Sequence, residues 1–200
     1  MIIRVLKPVV FVACLGPLAY LAYGVFADAL GANPIDAITD ATGTWTLRFV
    51  VATLLVTPLR RWTGWNPLIR FRRMLGLFAF FYGTLHFITY IWLDQFFDLA
   101  SIGKDIVKRP FITVGFSAFV LLIPLAATSN NRMVQKLGAH WRTLHRLVYV
   151  IATLGILHYL WLVKADIREP VIYGLVLITL LILRLPLPRR AIPEASVPPP

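Results

Sequence analysis

The chain has 200 residues and a mass of 22.6 kDa; 58% of its side chains are hydrophobic and 14% charged, with a mean hydropathy of +0.75, which excludes a water-soluble globule, whose apolar share is about 45–50%. Lys and Arg number 20 against 9 Asp and Glu, a net +11, yet the charges punctuate long apolar runs instead of forming the solvated basic patch of a nucleic-acid binder. The single cysteine, Cys14, lies inside the first apolar run, which excludes a disulfide framework and a thiolate metal cluster, so any metal must rely on histidine.

In chain order, the first apolar run covers residues 8–27 behind Arg4 and Lys7. It is too long for an ordinary signal-peptide core and has no convincing small-residue cleavage site, so it reads as a retained membrane helix. Asn33-Pro34-Ile35-Asp36 has the form of an N-cap, a proline at the first helical position and an acid in the first turn, and predicts a short interfacial helix over 33–42. Further runs cover 44–59, 74–93, 111–128, 147–163 and 170–183. A span takes roughly 20 residues, so the second and sixth need their flanking residues, Gly43 or Arg60 and Arg184 or Leu185, to complete the crossing. The expectation is an all-α membrane protein, a six-helix transmembrane bundle, with residues 1–190 as one domain. Residues 191–200, rich in proline, have too little apolar content to fold. No internal repeat stands out.

Counting cations in alternate loops orients the bundle, because cytoplasmic segments hold the excess. One side carries 14 Lys and Arg, in the segments around Arg4, Arg60 to Arg73, Arg132 to Arg146 and Arg184 to Arg190, with Glu194 as its one acid. The other carries six cations and eight acids. Both termini are therefore expected in the cytoplasm, and topology accounts for the +11 without a polyanionic partner. No nucleic acid is expected among the partners; membrane lipid is.

Four histidines are candidates for chemistry: His86, His140, His145 and His158. His86 lies 13 residues past Arg73 and His158 six before Lys164, and the third and fifth helices run in the same direction, so both imidazoles fall at similar depth in the outer half of the membrane. Facing imidazoles in a helix bundle are a ligand set for a six-coordinate b-type haem. A single buried histidine is commonly just a hydrogen-bonded core residue, but ionisable groups at membrane depth point to function, and neither run offers a charged partner for a proton relay. His145 precedes His158 by 13 residues, which turns it about 140° off the same helix face. It is either an inner haem ligand, for which the third helix offers Arg72 and Arg73 instead of a second histidine, or an interfacial hydrogen-bonding group. His140 reads as solvated. Arg48, at the level of His86 and His158, suits a haem propionate or snorkels to the headgroups. Arg60, Arg61, Arg70, Arg72 and Arg73 with Trp62 and Trp65 suit anionic lipid, or equally a flavin phosphate or a quinone headgroup. No GxGxxG, CxxC, CxxCH or P-loop motif occurs, so electrons must enter and leave through partners.

Taken in order, Thr53-Leu54-Leu55-Val56-Thr57-Pro58-Leu59-Arg60, Arg72-Arg73-Met74-Leu75-Gly76-Leu77, Leu85-His86, Lys108-Arg109-Pro110, Leu125-Ala126-Ala127-Thr128-Ser129, Trp141-Arg142-Thr143-Leu144-His145-Arg146-Leu147-Val148-Tyr149 and Leu157-His158-Tyr159-Leu160-Trp161 resemble the ferric-reductase-like transmembrane superfamily. Within it they resemble the MsrQ (YedZ) family of haem-binding membrane subunits. The resemblance covers residues 8–190 and implies a bacterial inner-membrane electron carrier. It would pass electrons from the quinone pool, or from a cytoplasmic flavin reductase, through haem b to a periplasmic molybdopterin enzyme, MsrP, that reduces methionine sulfoxide in oxidised proteins. The family's histidines fall on His86, His145 and His158, serving one haem or two, and FMN is a second implied cofactor. Larger relatives carry a flavin and nucleotide domain after the last helix; none follows here, which implies an external donor. The alternatives are a stand-alone ferric or cupric reductase and a haem-free membrane scaffold.

Overall fold

A computed structural model describes residues 2–185; Arg189, Arg190 and the expected tail at 191–200 lie outside the described residues. Every regular element among those described is helical, and the chain is an all-α membrane protein. α1 (Ile2–Phe26) and α2 (Pro34–Thr63) are followed by a 3-10 turn (Asn66–Leu68) and α3 (Ile69–Ile88), which runs on into a π-helical turn (Thr89–Asp94). Then come α4 (Leu99–Lys108), α5 (Pro110–Ala127), α6 (Asn131–Leu137), α7 (Ala139–Leu144), α8 (Leu147–Leu162) and α9 (Arg168–Ile182). Four stretches are long and apolar enough to cross a membrane: Ile2–Phe26, Asn66–Asp94, Pro110–Ala127 and Ala139–Leu162. α2 has the length, with 30 residues, but carries Asp36, Asp40, Arg48, Arg60 and Arg61; α9 has only 15. Both pack against α8 in the same bundle.

The short interfacial helix expected at 33–42 is the first part of α2. Its start is as anticipated, with the Asn33 side chain accepting from the Asp36 N–H at 3.3 Å and Pro34 in the first turn. It does not stop at Gly43, because tertiary contact outweighs the cost of about 1 kcal/mol that an interior glycine imposes. At about 1.5 Å per residue, its 30 residues make α2 about 45 Å long. α4, α6 and α7 were not anticipated. α4 is amphipathic and is capped by Asp98, whose carboxylate accepts from the N–H groups of Ala100 and Ser101.

The two closest helix pairs are α2 with α3 and α5 with α8, and α3 also meets α5. The core between them is aromatic: Phe49 stacks on Phe78 and on Tyr82, with centroids 5.6 and 5.3 Å apart, and Phe119 lies between Phe80 and Phe87. The buried threonines Thr42, Thr53, Thr89 and Thr128 return their hydroxyls to carbonyls one turn back, which satisfies a polar group where no water is available. Ile172, Leu175, Ile178 and Ile182 of α9 and Phe11, Tyr20 and Tyr23 of α1 face outward, the surface expected against lipid.

In two helices a side chain from elsewhere in the bundle bonds the backbone beside a proline. Pro58 in α2 has no N–H for the Leu54 carbonyl, and the Arg184 guanidinium, just past α9, donates to that oxygen and to the Tyr149 hydroxyl. Next to Pro17 in α1, the Tyr82 hydroxyl inserts into the helix ladder, accepting from the Leu18 N–H at 3.1 Å and donating to the Cys14 carbonyl at 2.9 Å. A side chain entering the ladder is a recognised cause of helix bending.

Candidate functional site

His86, near the end of α3, and His158, near the end of α8, face one another with ring centroids 6.2 Å apart and planes at 78°. Both are partly buried. Their helices are not closely packed on each other, so the two imidazoles reach into the space between α3 and α8. His86 Nδ1 lies 2.9 Å from the Thr39 carbonyl oxygen of α2, and His158 Nδ1 lies 2.7 Å from the Phe111 carbonyl oxygen of α5. A carbonyl only accepts, so each Nδ1 carries the proton and each Nε2 keeps its lone pair.

That donor set suits an iron held on two axial sides. Metal–imidazole bonds of about 2.0 Å, added to the half-width of each ring, put collinear imidazole centroids about 6 Å apart, and the observed spacing agrees. The Nδ1–H to carbonyl bond is the outer-sphere contact that fixes tautomer and ring direction in metal-ligating histidines. Among the described residues no group of three or more His, Cys, Asp or Glu comes together, so a metal ion held by side chains alone lacks its ligands, whereas a haem supplies four of its own and needs two.

His145 occupies the opposite end of the bundle, in the turn between α7 and α8. Its Nε2 is 3.0 Å from the Thr128 hydroxyl, which itself donates to the Pro124 carbonyl at 2.6 Å. With the hydroxyl proton so used, Thr128 accepts, and the His145 proton sits on Nε2, the reverse of His86 and His158. Trp141 stacks on His145 at 4.0 Å and donates from Nε1 to the Thr128 carbonyl. His145 and Trp141 together therefore close the end of α5, where carbonyls are left over.

The remaining candidates are dispersed. Arg72 and Arg73 lie near His145, and Arg73 donates to the Asn131 side chain at 2.8 Å. Arg48 is exposed on the bundle surface, where its guanidinium covers Trp45 at 4.7 Å and donates to the Tyr173 hydroxyl of α9. His140 is exposed.

The structure adds residues that the sequence reading missed. A Cβ on Gly43 would stand 3.0 Å from His86 Nδ1, and one on Gly115 would stand 2.6 Å from His158 Nδ1. Thr39, Gly43 and His86 are each 72 residues before Phe111, Gly115 and His158. The sequence carries the trace of this as Gly83-Thr84-Leu85-His86 and Gly155-Ile156-Leu157-His158. Contrary to the expectation of no internal repeat, the pair α2–α3 and the pair α5–α8 repeat one arrangement. The same offset sets His145 against Arg73.

The family described as "Ferric reductase like transmembrane component" matches residues 42–156, which includes both ends of the bundle and His86 but stops two residues before His158. Curated relatives called "Protein-methionine-sulfoxide reductase heme-binding subunit MsrQ" align along most of the chain. The one from Herminiimonas arsenicoxydans is 58% identical over 185 residues, covering 91% of this chain and 85% of the relative. The one from Azospira oryzae is 50% identical over 203 residues, covering 96% and 87%, and that from Polaromonas naphthalenivorans is 54% identical over 178, covering 88% and 81%. No solved structure matches the chain.

Proposed function

The chain belongs to the ferric-reductase-like transmembrane family and, within it, to the MsrQ family, and from that membership we propose that it is a b-type cytochrome of the bacterial inner membrane. It takes electrons from the quinone pool or a cytoplasmic flavin reductase and delivers them to a periplasmic MsrP-like molybdoenzyme, which repairs oxidised methionines. The observation that carries the reading is the facing pair of imidazoles, 6.2 Å between centroids, each with Nδ1 engaged by a backbone carbonyl. A haem bound there supplies an iron that alternates between ferric and ferrous, one electron at a time. His86 and His158 hold it from α3 and α8, and the Thr39 and Phe111 carbonyls keep both rings in the ligating tautomer. The aromatic core of Phe49, Phe78, Tyr82 and Phe119 excludes water beneath the site, which tunes the potential.

In this reading α2 and α9 complete six spans and both termini lie in the cytoplasm, so that the haem would lie near the periplasmic face, within reach of the acceptor. Arg72 and Arg73 then belong to the donor side, where they meet an anionic group such as the FMN phosphate or a quinone headgroup. His145, its Nε2 already committed to Thr128, is read as a structural residue, so one haem is bound by two histidines.

The test is a set of dithionite-reduced minus oxidised spectra, with haemochrome stoichiometry, of protein expressed with added haem. The wild type should show one low-spin b-type haem, abolished by His86→Ala and by His158→Ala and kept in His145→Ala. A wild type that stays colourless sinks the proposal. Loss of a distinct share of the haem in His145→Ala replaces the single-haem reading with two.

A further inference from the structure

Resting on that reading, the repeated pair of close approaches adds two residues to the site. We propose that Gly43 and Gly115 are positioning residues that, with the Thr39 and Phe111 carbonyls, set the azimuth of the two axial imidazoles and hold their planes near perpendicular.

On each side a helix passes the imidazole backbone-first. The carbonyl that receives Nδ1–H and the glycine against which the ring lies are four residues apart in both cases, Thr39 with Gly43 and Phe111 with Gly115, so they sit one above the other on one face of α2 and one face of α5. The ring is thus fixed at two points, by a hydrogen bond at Nδ1 and by a flat backbone surface beside Nδ1 and Cε1. A Cβ on Gly115 would lie 2.6 Å from Nδ1 and 2.8 Å from Cε1 of His158, and one on Gly43 would lie 3.0 Å from the same two atoms of His86. Any side chain at 115 forces the imidazole to swing or the helix to retreat, and either strains the 2.7 Å bond to Phe111. At 43 the crowding is milder, so the His86 ring has to give by only a few tenths of an ångström.

Because the device occurs twice, 72 residues apart, on helix pairs whose histidines approach from opposite sides, each ring's direction is fixed by its own pair. The 78° between the rings is the angle between those two fixed directions. Ligand-plane angle controls the splitting of the iron orbitals that the imidazoles engage, and near-perpendicular planes give a low-spin ferric signal of high anisotropy, distinct from the rhombic signal of parallel planes.

The experiment uses full-length protein purified with haem, in the wild type, Gly43→Ala, Gly115→Ala and, as a membrane-helix control with nothing within 4 Å of the added carbon, Gly16→Ala. Electron paramagnetic resonance of the oxidised haem, its midpoint potential and haem transfer to apomyoglobin are measured on each. The wild type and Gly16→Ala should give the same highly anisotropic signal. Gly43→Ala should retain haem with lower anisotropy and a moved potential. Gly115→Ala should release haem with roughly 10–100-fold weaker affinity, the range found when an outer-sphere partner is lost. If Gly115→Ala yields no inserted protein, Gly43→Ala decides alone. A rhombic wild-type signal, or unchanged signal and potential in Gly43→Ala, overturns the proposal while leaving the haem reading intact. A wild type without haem overturns both.

Discussion

The three membrane histidines differ in which nitrogen is committed. His86 and His158 give Nδ1 to backbone carbonyls, and His145 gives Nε2 to the Thr128 hydroxyl. The sequence shows that His86 and His158 lie at one depth, since counting residues from the loop charges is enough for that. It cannot show the tautomer, because Thr39 and Phe111 contribute only main-chain oxygen, which any residue type there would supply equally. Gly43 and Gly115 were hidden for a related reason: a glycine in an apolar run looks like a helix-packing position until the ring beside it is seen. The His145 contact leads to a prediction at this scale. Thr128→Val removes the acceptor for His145 Nε2 and one partner of the α5 end, costing about 1–3 kcal/mol for the donor left unpaired. The purified protein should melt at a lower temperature with an unchanged reduced-minus-oxidised spectrum. A change in that spectrum would instead tie His145 to the haem.

At the level of elements, the apolar runs gave α1, α3, α5 and α8 well, because length and hydropathy suffice to identify a helix that lipid surrounds. α2 was divided in two by its polar first half, although Pro34–Thr63 is one continuous helix. α4 was missed because ten residues between Asp98 and Arg109 offer too few turns for periodicity to stand out from loop composition. The partner of Pro58 was also out of reach, since Arg184 lies 130 residues from Leu54 and reads in sequence as a boundary cation. Its contact has a sharp consequence. Arg184→Met leaves the Leu54 carbonyl without a donor and should destabilise the protein by about 1–3 kcal/mol. In a Pro58→Ala background the restored N–H at 58 takes over that carbonyl, so Arg184→Met should cost much less there. A double-mutant cycle by thermal or denaturant unfolding measures the difference; additive effects would show that Arg184 does not serve the proline gap.

For the whole molecule, the charge asymmetry of the loops predicts which end faces which compartment. In a Cys14→Ser background, Lys104→Cys on α4 should react with a membrane-impermeant thiol reagent in intact cells, whereas Arg132→Cys on α6 should react only after permeabilisation. The opposite pattern would invert the bundle and put the histidine pair on the cytoplasmic side. The repeat of α2–α3 by α5–α8 belongs to this scale too, and it bears on the order of events during biosynthesis. His86 and His158 lie on different halves of the chain, 72 residues apart, and at roughly 5–20 residues per second a ribosome separates them by about 4–14 s. For that interval the nascent chain presents one half of the repeated arrangement, with α2 and α3 in place and His86 without the ring that faces it. If the pair holds a haem as proposed, cofactor loading waits until α8 has entered the bilayer, which would make the arrival of the fifth apolar run the checkpoint of assembly.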